Sequence, residues 1–179
     1  QDLPAYSYRK KTKGDTVVIA KQTLISAIQD ENWDYITFQQ ASPLSGKVES
    51  YFPYLPKLME YTRQYATNPK LKFAFHQTWA YAANSKNAAF ENYKKDQLYM
   101  YESIVTAVKE ATKRAGIRIV IPSGTAIQNG RTSFVGDRFT RDGFHLSLGL
   151  GRFTAACVWY ETLMKRPVRK NSFVPAGVT

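Results

Sequence analysis

The spacing of Asp142 and His145 is the pattern in this sequence that most directly suggests chemistry. The chain has only two histidines, and this one follows an aspartate by three residues. A carboxylate at that spacing can hold one ring nitrogen, orient the imidazole and stabilise the imidazolium that forms when the other nitrogen takes a proton. Gly143 lies between them and allows the tight turn. The pair predicts a general base. The alternative is a surface aspartate bonded to a histidine that only packs.

Alternating strand and helix patterns must position this pair. Apolar runs predict strands over residues 35–39, 71–75 and 117–121, and helical spacing predicts helices over residues 50–66, 87–115, 125–129 and 148–164. Before them, Lys13 and Gly14 mark the turn of a β-hairpin, and Thr23 can cap a short helix through residue 31. Three strand–loop–helix repeats indicate an α/β domain with a parallel sheet and right-handed crossovers.

Polar and aromatic residues follow each predicted strand, at the end of a parallel sheet where binding sites lie. Gln39 and Gln40 end the first strand, and His76 ends the second. His76 is interpreted either as a hydrogen-bonded core histidine or as a substrate contact. Trp79 and Tyr81 either stack on a sugar ring or cap the sheet. The serines nearest to this predicted site are Ser42 and Ser123.

Composition limits the classes of function that remain. A length of 179 residues suits one domain with one core. The formal charge of +11 suggests an anionic polymer as a partner, but the basic residues are scattered, so no nucleic-acid partner is predicted. No apolar run is long enough for a membrane helix, so no membrane association is predicted. Two distant histidines and the single Cys157 offer no metal-ligand cluster, so neither a metal nor another cofactor is predicted.

Five segments of the chain resemble the SGNH (GDSL-type) hydrolases, in particular a secreted branch typical of Bacteroides-type gut bacteria. These segments are spread over nearly the whole length of the chain and are residues 5–10, 33–42, 76–81, 121–128 and 141–146. The resemblance implies a three-layer α/β/α fold and an esterase-type activity, with acylated carbohydrate as the candidate substrate. It also implies a secreted or periplasmic location. In this family Asp142 and His145 would be two members of a Ser-His-Asp triad.

The sequence departs from the family at its N-terminal end. The family's serine nucleophile follows the first strand in a G-[DN]-S motif, which this sequence lacks. Residues 1–179 are therefore interpreted as the C-terminal part of a single SGNH-like domain. A separate N-terminal fragment of the same gene product is expected to supply the missing strands and the serine. Without it, residues 35–39 would form an unpaired sheet edge. Either Ser42 or Ser123 as the nucleophile would contradict the family layout.

A second departure concerns the oxyanion donor. The family carries a G-x-N-D block after its third strand, whereas residues 39–42 here read Gln-Gln-Ala-Ser. A glutamine amide can donate to an oxyanion as asparagine does, so Gln40 is the predicted donor, with Gln39 behind it.

The sequence as a whole predicts a serine-type ester hydrolase. Asp142 would orient His145, which would act first as general base and then as general acid. The predicted substrate contacts are Trp79, Gln39, His76 and Tyr81. The alternative is a non-catalytic carbohydrate-binding protein on a degenerate hydrolase fold, because the nucleophile is missing and Tyr and Trp are abundant.

Overall fold

The computed structural model describes residues 2–176 and divides into two compact units. Unit 1 contains Gln1–Ile36 and Pro53–Phe73, and unit 2 contains Thr37–Phe52 and Ala74–Thr179. Strands β3 (Tyr35–Phe38) and β4 (Lys72–His76) begin in unit 1 and end in unit 2. The residues that sequence analysis assigned to chemistry all belong to unit 2.

Unit 1 contains the predicted hairpin, formed by the antiparallel strands β1 (Tyr6–Lys11) and β2 (Thr16–Gln22). Gly14 turns between them with a φ of +101°, a conformation that glycine adopts readily. The Thr23 side chain accepts a hydrogen bond from the Ser26 N–H at 3.1 Å, which confirms the predicted cap of α1 (Leu24–Gln29). Helix α1 packs against α2 (Tyr54–Tyr65).

Unit 2 contains the carboxyl ends of β3 and β4 and the whole of a third strand, β5 (Ile119–Ile121). The strand order is β3-β4-β5, and β4 pairs in parallel with β5 through His76↔Ile121. The α-helices are α3 (Gln97–Ala115), α4 (Ser123–Arg131) and α5 (Leu150–Met164). Short 3₁₀ helices cover Ser42–Leu44, Val48–Tyr51 and Ala88–Tyr93. The predicted α/β class with a parallel sheet is confirmed.

The long helix predicted over residues 87–115 is interrupted. Lys94 and Lys95 adopt positive φ angles of 57° and 53°, so the helical hydrogen bonds cannot continue through them. The Asp96 carboxylate accepts the Tyr99 N–H at 2.9 Å and caps a new start for α3. Gly116, with a φ of 71°, ends α3 as predicted.

Strand β3 is a terminal strand of the three-stranded sheet within residues 2–176. None of the described helices combines the length and apolar character that crossing a bilayer requires.

Candidate active site

The turn that carries Asp142 and His145 packs on a buried apolar cluster. Thr140 and Leu146 form an isolated antiparallel bridge, and the Arg141 N–H donates to the His145 carbonyl at 2.9 Å. Below the bridge, Phe139 and Leu146 are buried in one cluster with Ile127 of α4 and Ala155 of α5. These apolar contacts hold both arms of the turn, so the polar residues at its tip are presented from a packed support.

Gly143 makes the turn possible for two separate reasons. Its φ of +88° is unfavourable for residues with a side chain. A Cβ at this position would also lie 2.9 Å from both the Cα and the Oγ of Ser85. The Gly143 carbonyl accepts the Ala82 N–H at 2.7 Å, which fastens the turn to the loop after β4. A residue larger than glycine would push these two loops apart.

The Asp142 carboxylate holds both the backbone and the ring of His145. Its Oδ1 accepts the His145 N–H at 2.7 Å and the Phe144 N–H at 3.1 Å, and its Oδ2 lies 2.6 Å from His145 Nδ1. Desolvation is the largest single influence and would raise the pKa of Asp142. The hydrogen bonds from the ring and the two backbone N–H groups together lower that pKa from 3.8 to about 2. The carboxylate is therefore ionised at neutral pH.

His145 is oriented in the way that a general base requires. Since ionised Asp142 can only accept, Nδ1 of the neutral ring carries the proton and Nε2 keeps its lone pair. The His145 side chain is 54% exposed, and no residue within 2–176 bonds Nε2. The Phe144 ring lies against the imidazole with centroids 3.9 Å apart. The predicted pairing of these two residues is thus present in the structure.

Trp79 supports the turn from below. Its indole N–H donates to the Phe144 carbonyl at 2.7 Å, and its half-buried ring packs against the cluster under the turn. The ring is also 6.2 Å from the His76 ring, centroid to centroid. The hydrogen bond gives Trp79 a clear structural role, and its predicted contact with substrate stays a prediction.

The ends of the three strands meet in a row of hydrogen bonds. Gln39 follows β3, His76 ends β4, and Ser123 begins α4 after β5. His76 Nδ1 lies 2.5 Å from Gln39 Oε1, and His76 Nε2 lies 2.9 Å from Ser123 Oγ. Burial lowers the pKa of His76 to about 4, so the ring is neutral at neutral pH. The row is the direct consequence of parallel strand ends converging at one edge.

Gln40, the predicted oxyanion donor, is hydrogen-bonded within the chain. Its Nε2 donates to the Ser50 carbonyl at 3.0 Å and to the Ser50 hydroxyl at 3.1 Å, while its Oε1 accepts the Ala41 N–H at 2.8 Å. These bonds fold the side chain toward the 3₁₀ helix Val48–Tyr51. Donation to an oxyanion would require the amide to release Ser50.

The predicted stacking of Tyr81 on a sugar is wrong. Tyr81 is 1% exposed, with its ring edge-on to Phe90 and Phe144. Its hydroxyl lies 2.9 Å from the Ser42 hydroxyl. Because the Tyr81 side chain is buried against neighbours that include Phe90 and Phe144, neither face of its ring is open to a ligand. Ser42 is therefore engaged by Tyr81 and Ser123 by His76, and neither is hydrogen-bonded to His145.

An ion pair between a buried arginine and a more exposed aspartate, which sequence reasoning missed, fastens the loop after β4. Arg131, whose side chain is 4% exposed, donates to Asp137 Oδ1 at 2.8 Å and to the Ala80 carbonyl at 3.1 Å. Asp137 Oδ2 in turn accepts the Ala83 N–H and the Gln97 amide, each at 2.8 Å. No sequence pattern marked this pair, since an Arg and an Asp six residues apart are common in a polar stretch. No three His, Cys, Asp or Glu side chains gather as a metal site within the described chain.

Solved structures with low identity share this fold. A candidate SGNH hydrolase from Slackia heliotrinireducens matches with a TM-score of 0.57 and 19% identity, over 76% of this chain and 69% of that chain. A candidate GDSL-like lipase from Parabacteroides merdae matches with a TM-score of 0.57 and 14% identity, over 75% of this chain and 62% of that chain. The molecule thus has the fold of the SGNH hydrolases.

The family itself is defined by closer similarity. The chain belongs to the DUF4886 family, a domain of unknown function whose model matches residues 1–179. A crystal structure of a DUF4886 family protein from Bacteroides uniformis superposes with a TM-score of 0.95 and 50% identity, over 99% of this chain and 69% of that chain. No curated protein matches the chain.

Proposed function

We propose that this chain carries the histidine and aspartate of a serine-type ester hydrolase that deacylates carbohydrate. The observation that carries the proposal is the 2.6 Å contact between Asp142 Oδ2 and His145 Nδ1, which leaves Nε2 of an exposed ring facing away from its partner. The SGNH fold supports the reaction class, since the pair stands in the loop before the C-terminal helix, where that family carries its Asp and His. The carbohydrate substrate rests on the family resemblance.

In the proposed mechanism, His145 Nε2 takes the proton of a serine hydroxyl as the serine oxygen bonds to the ester carbonyl carbon. Asp142 stabilises the imidazolium that forms. His145 then gives the proton to the leaving alcohol oxygen as the carbon–oxygen bond of the ester breaks. Water attacks the acyl-serine in the same way, its proton passing through His145 back to the serine, and the carboxylic acid is released.

The serine is proposed to come from an N-terminal fragment of the same gene product, outside these residues. Two observations support this: β3 is a terminal strand of the sheet within residues 2–176, and neither Ser42 nor Ser123 bonds His145. A structure of the complete protein tests the idea. It should contain a parallel strand beside β3 and a serine hydroxyl within about 3 Å of His145 Nε2. A β3 that has no further neighbour in the complete protein would contradict it.

The esterase assignment is tested on the complete protein with p-nitrophenyl acetate. Replacing His145 by Ala should nearly abolish turnover, and Asp142→Asn should lower kcat by about 10⁴-fold, because the ring loses the partner that fixes its tautomer. Asp15→Asn is the matched control: its side chain is exposed in the hairpin turn, and turnover should be retained. Unchanged turnover in either site variant would refute the assignment.

A carbohydrate-binding protein without catalysis is the second outcome of the same experiment. Glycan binding without ester cleavage, lost in Trp79→Ala, would favour it.

A secreted or periplasmic location is also proposed from the family resemblance, and fractionation of cells that express the complete gene product tests it.

A further inference from the structure

The row Gln39–His76–Ser123 admits one arrangement of protons that satisfies its buried hydroxyl. Ser123 is fully buried, and within residues 2–176 its Oγ has one hydrogen-bond partner, His76 Nε2 at 2.9 Å. If Nε2 carried the ring proton, the hydroxyl hydrogen of Ser123 would be buried without an acceptor, which is costly. Ser123 therefore donates to Nε2. The neutral ring consequently carries its proton on Nδ1.

This tautomer decides which end of the Gln39 amide faces the histidine. The Nδ1–H group of His76 is a donor, so the atom 2.5 Å away must be the acceptor Oε1 of Gln39. The amide NH₂ group of Gln39 then points away from His76. Gln39 is exposed, and none of the described residues accepts a hydrogen bond from its Nε2. By contrast, the Gln40 amide is turned onto Ser50.

Contacts connect this row to the general base. The His76 and Trp79 rings meet edge-on with centroids 6.2 Å apart, and the Trp79 indole N–H donates to the carbonyl of Phe144, the neighbour of His145. The Trp159 ring of α5 makes a separate edge-on contact with the His76 ring, with centroids 5.0 Å apart. The exposed Gln39 amide and the exposed His145 ring are thus connected by a series of contacts through His76, Trp79 and Phe144.

From this geometry we infer that Gln39, rather than Gln40, is the donor that stabilises the oxyanion, and that His76, held by Ser123, is the positioning residue that turns the Gln39 amide outward. The inference rests on the proposed esterase function. It adds a physical role for a buried histidine that the Asp142–His145 mechanism does not use. A preorganised donor is effective because it needs no reorientation when charge develops on the carbonyl oxygen.

The test uses the complete protein and two replacements of Gln39. Gln39→Glu keeps an acceptor for His76 Nδ1–H but replaces both amide donors by a carboxylate oxygen, and Gln39→Ala removes the side chain. Both should lower kcat by roughly 10²–10³-fold while KM changes little, because the lost interaction is made mainly in the transition state. Gln64→Ala is the matched control, since Gln64 is exposed on α2.

The positioning role is read out by imidazole nitrogen NMR. In the wild-type protein, the His76 ring should be protonated on Nδ1 and not on Nε2. Ser123→Ala removes the donor to Nε2, so both tautomers should appear, and kcat should fall less than in Gln39→Ala. A purely structural role for Ser123 would lower stability and leave the tautomer unchanged.

The outcomes separate this inference from the proposed function. Turnover that is lost in His145→Ala but retained in both Gln39 variants overturns the inference and keeps the esterase. A His76 ring protonated on Nε2 in the wild-type protein also overturns the inference alone. Complete protein without any ester turnover overturns the proposed function and the role of Gln39 together.

Discussion

Acid should destabilise this protein in a pH window set by His76. The ring is buried between the Gln39 amide, the Ser123 hydroxyl and two indoles, and none of these four groups ionises. Burial lowers the pKa of His76 from 6.5 to about 4. Between these pH values the unfolded chain binds a proton at this position and the folded protein does not, so the free energy of unfolding rises with pH.

The size of the effect follows from the two pKa values. The difference between 6.5 and about 4 corresponds to about 3 kcal/mol. This contribution of His76 to the free energy of unfolding is fully present above about pH 6.5 and is lost as the pH falls to about 4. Below that pH, His76 contributes no further change. The Asp142 carboxylate acts in a separate, lower window, since its pKa falls from 3.8 to about 2 on folding.

The assay is urea unfolding of the complete protein at a series of pH values from 7 to 4, compared with the His76→Gln variant. The wild-type protein should lose about 3 kcal/mol more than the variant over this range, because only the wild-type unfolded chain takes up this proton. NMR titration of the His76 ring provides a direct check. A difference between the two proteins that stays constant from pH 7 to 4 would refute the reasoning.

Two further predictions concern the loops that hold the site. Gly143→Ala should destabilise the protein by about 2 kcal/mol and lower ester turnover, because φ is +88° and the new Cβ would lie 2.9 Å from the Cα of Ser85; thermal unfolding and p-nitrophenyl acetate turnover measure both effects. Asp137→Ala should cost about 3 kcal/mol in chemical unfolding, because the 4%-exposed Arg131 side chain loses its charge partner.

Each of these two substitutions has a control at a position without close packing. Gly136 has a φ of +63° with no atom within 4 Å of its Cβ position, so Gly136→Ala should cost only about 1 kcal/mol. The Glu91–Lys95 ion pair is about two-thirds exposed, so Glu91→Ala should cost under about 0.5 kcal/mol. Equal losses within either matched pair would contradict the packing argument behind it.

The sequence by itself determined the features that depend on neighbours in the chain. The hairpin around Gly14, the Thr23 cap and the end of α3 at Gly116 follow from turn and cap chemistry over a few residues. Asp142 and His145 are three residues apart, so a tight turn brings them together whatever the rest of the fold does. The Asp96 cap was also readable in the sequence, but the helical spacing of its neighbours concealed the break at Lys94 and Lys95.

Only the tertiary structure decided how the side chains at the strand ends are used. His76 meets Gln39 and Ser123 across separations of 37 and 47 residues, and no local pattern fixes which amide end or ring nitrogen takes part. The same is true of Tyr81, whose hydroxyl pairs with Ser42 across 39 residues while its ring is buried. The alternation of strands and helices along the chain predicts that these residues lie at the carboxyl end of the parallel sheet. Their orientation depends on packing density and on satisfying every buried polar group, which are properties of the assembled fold.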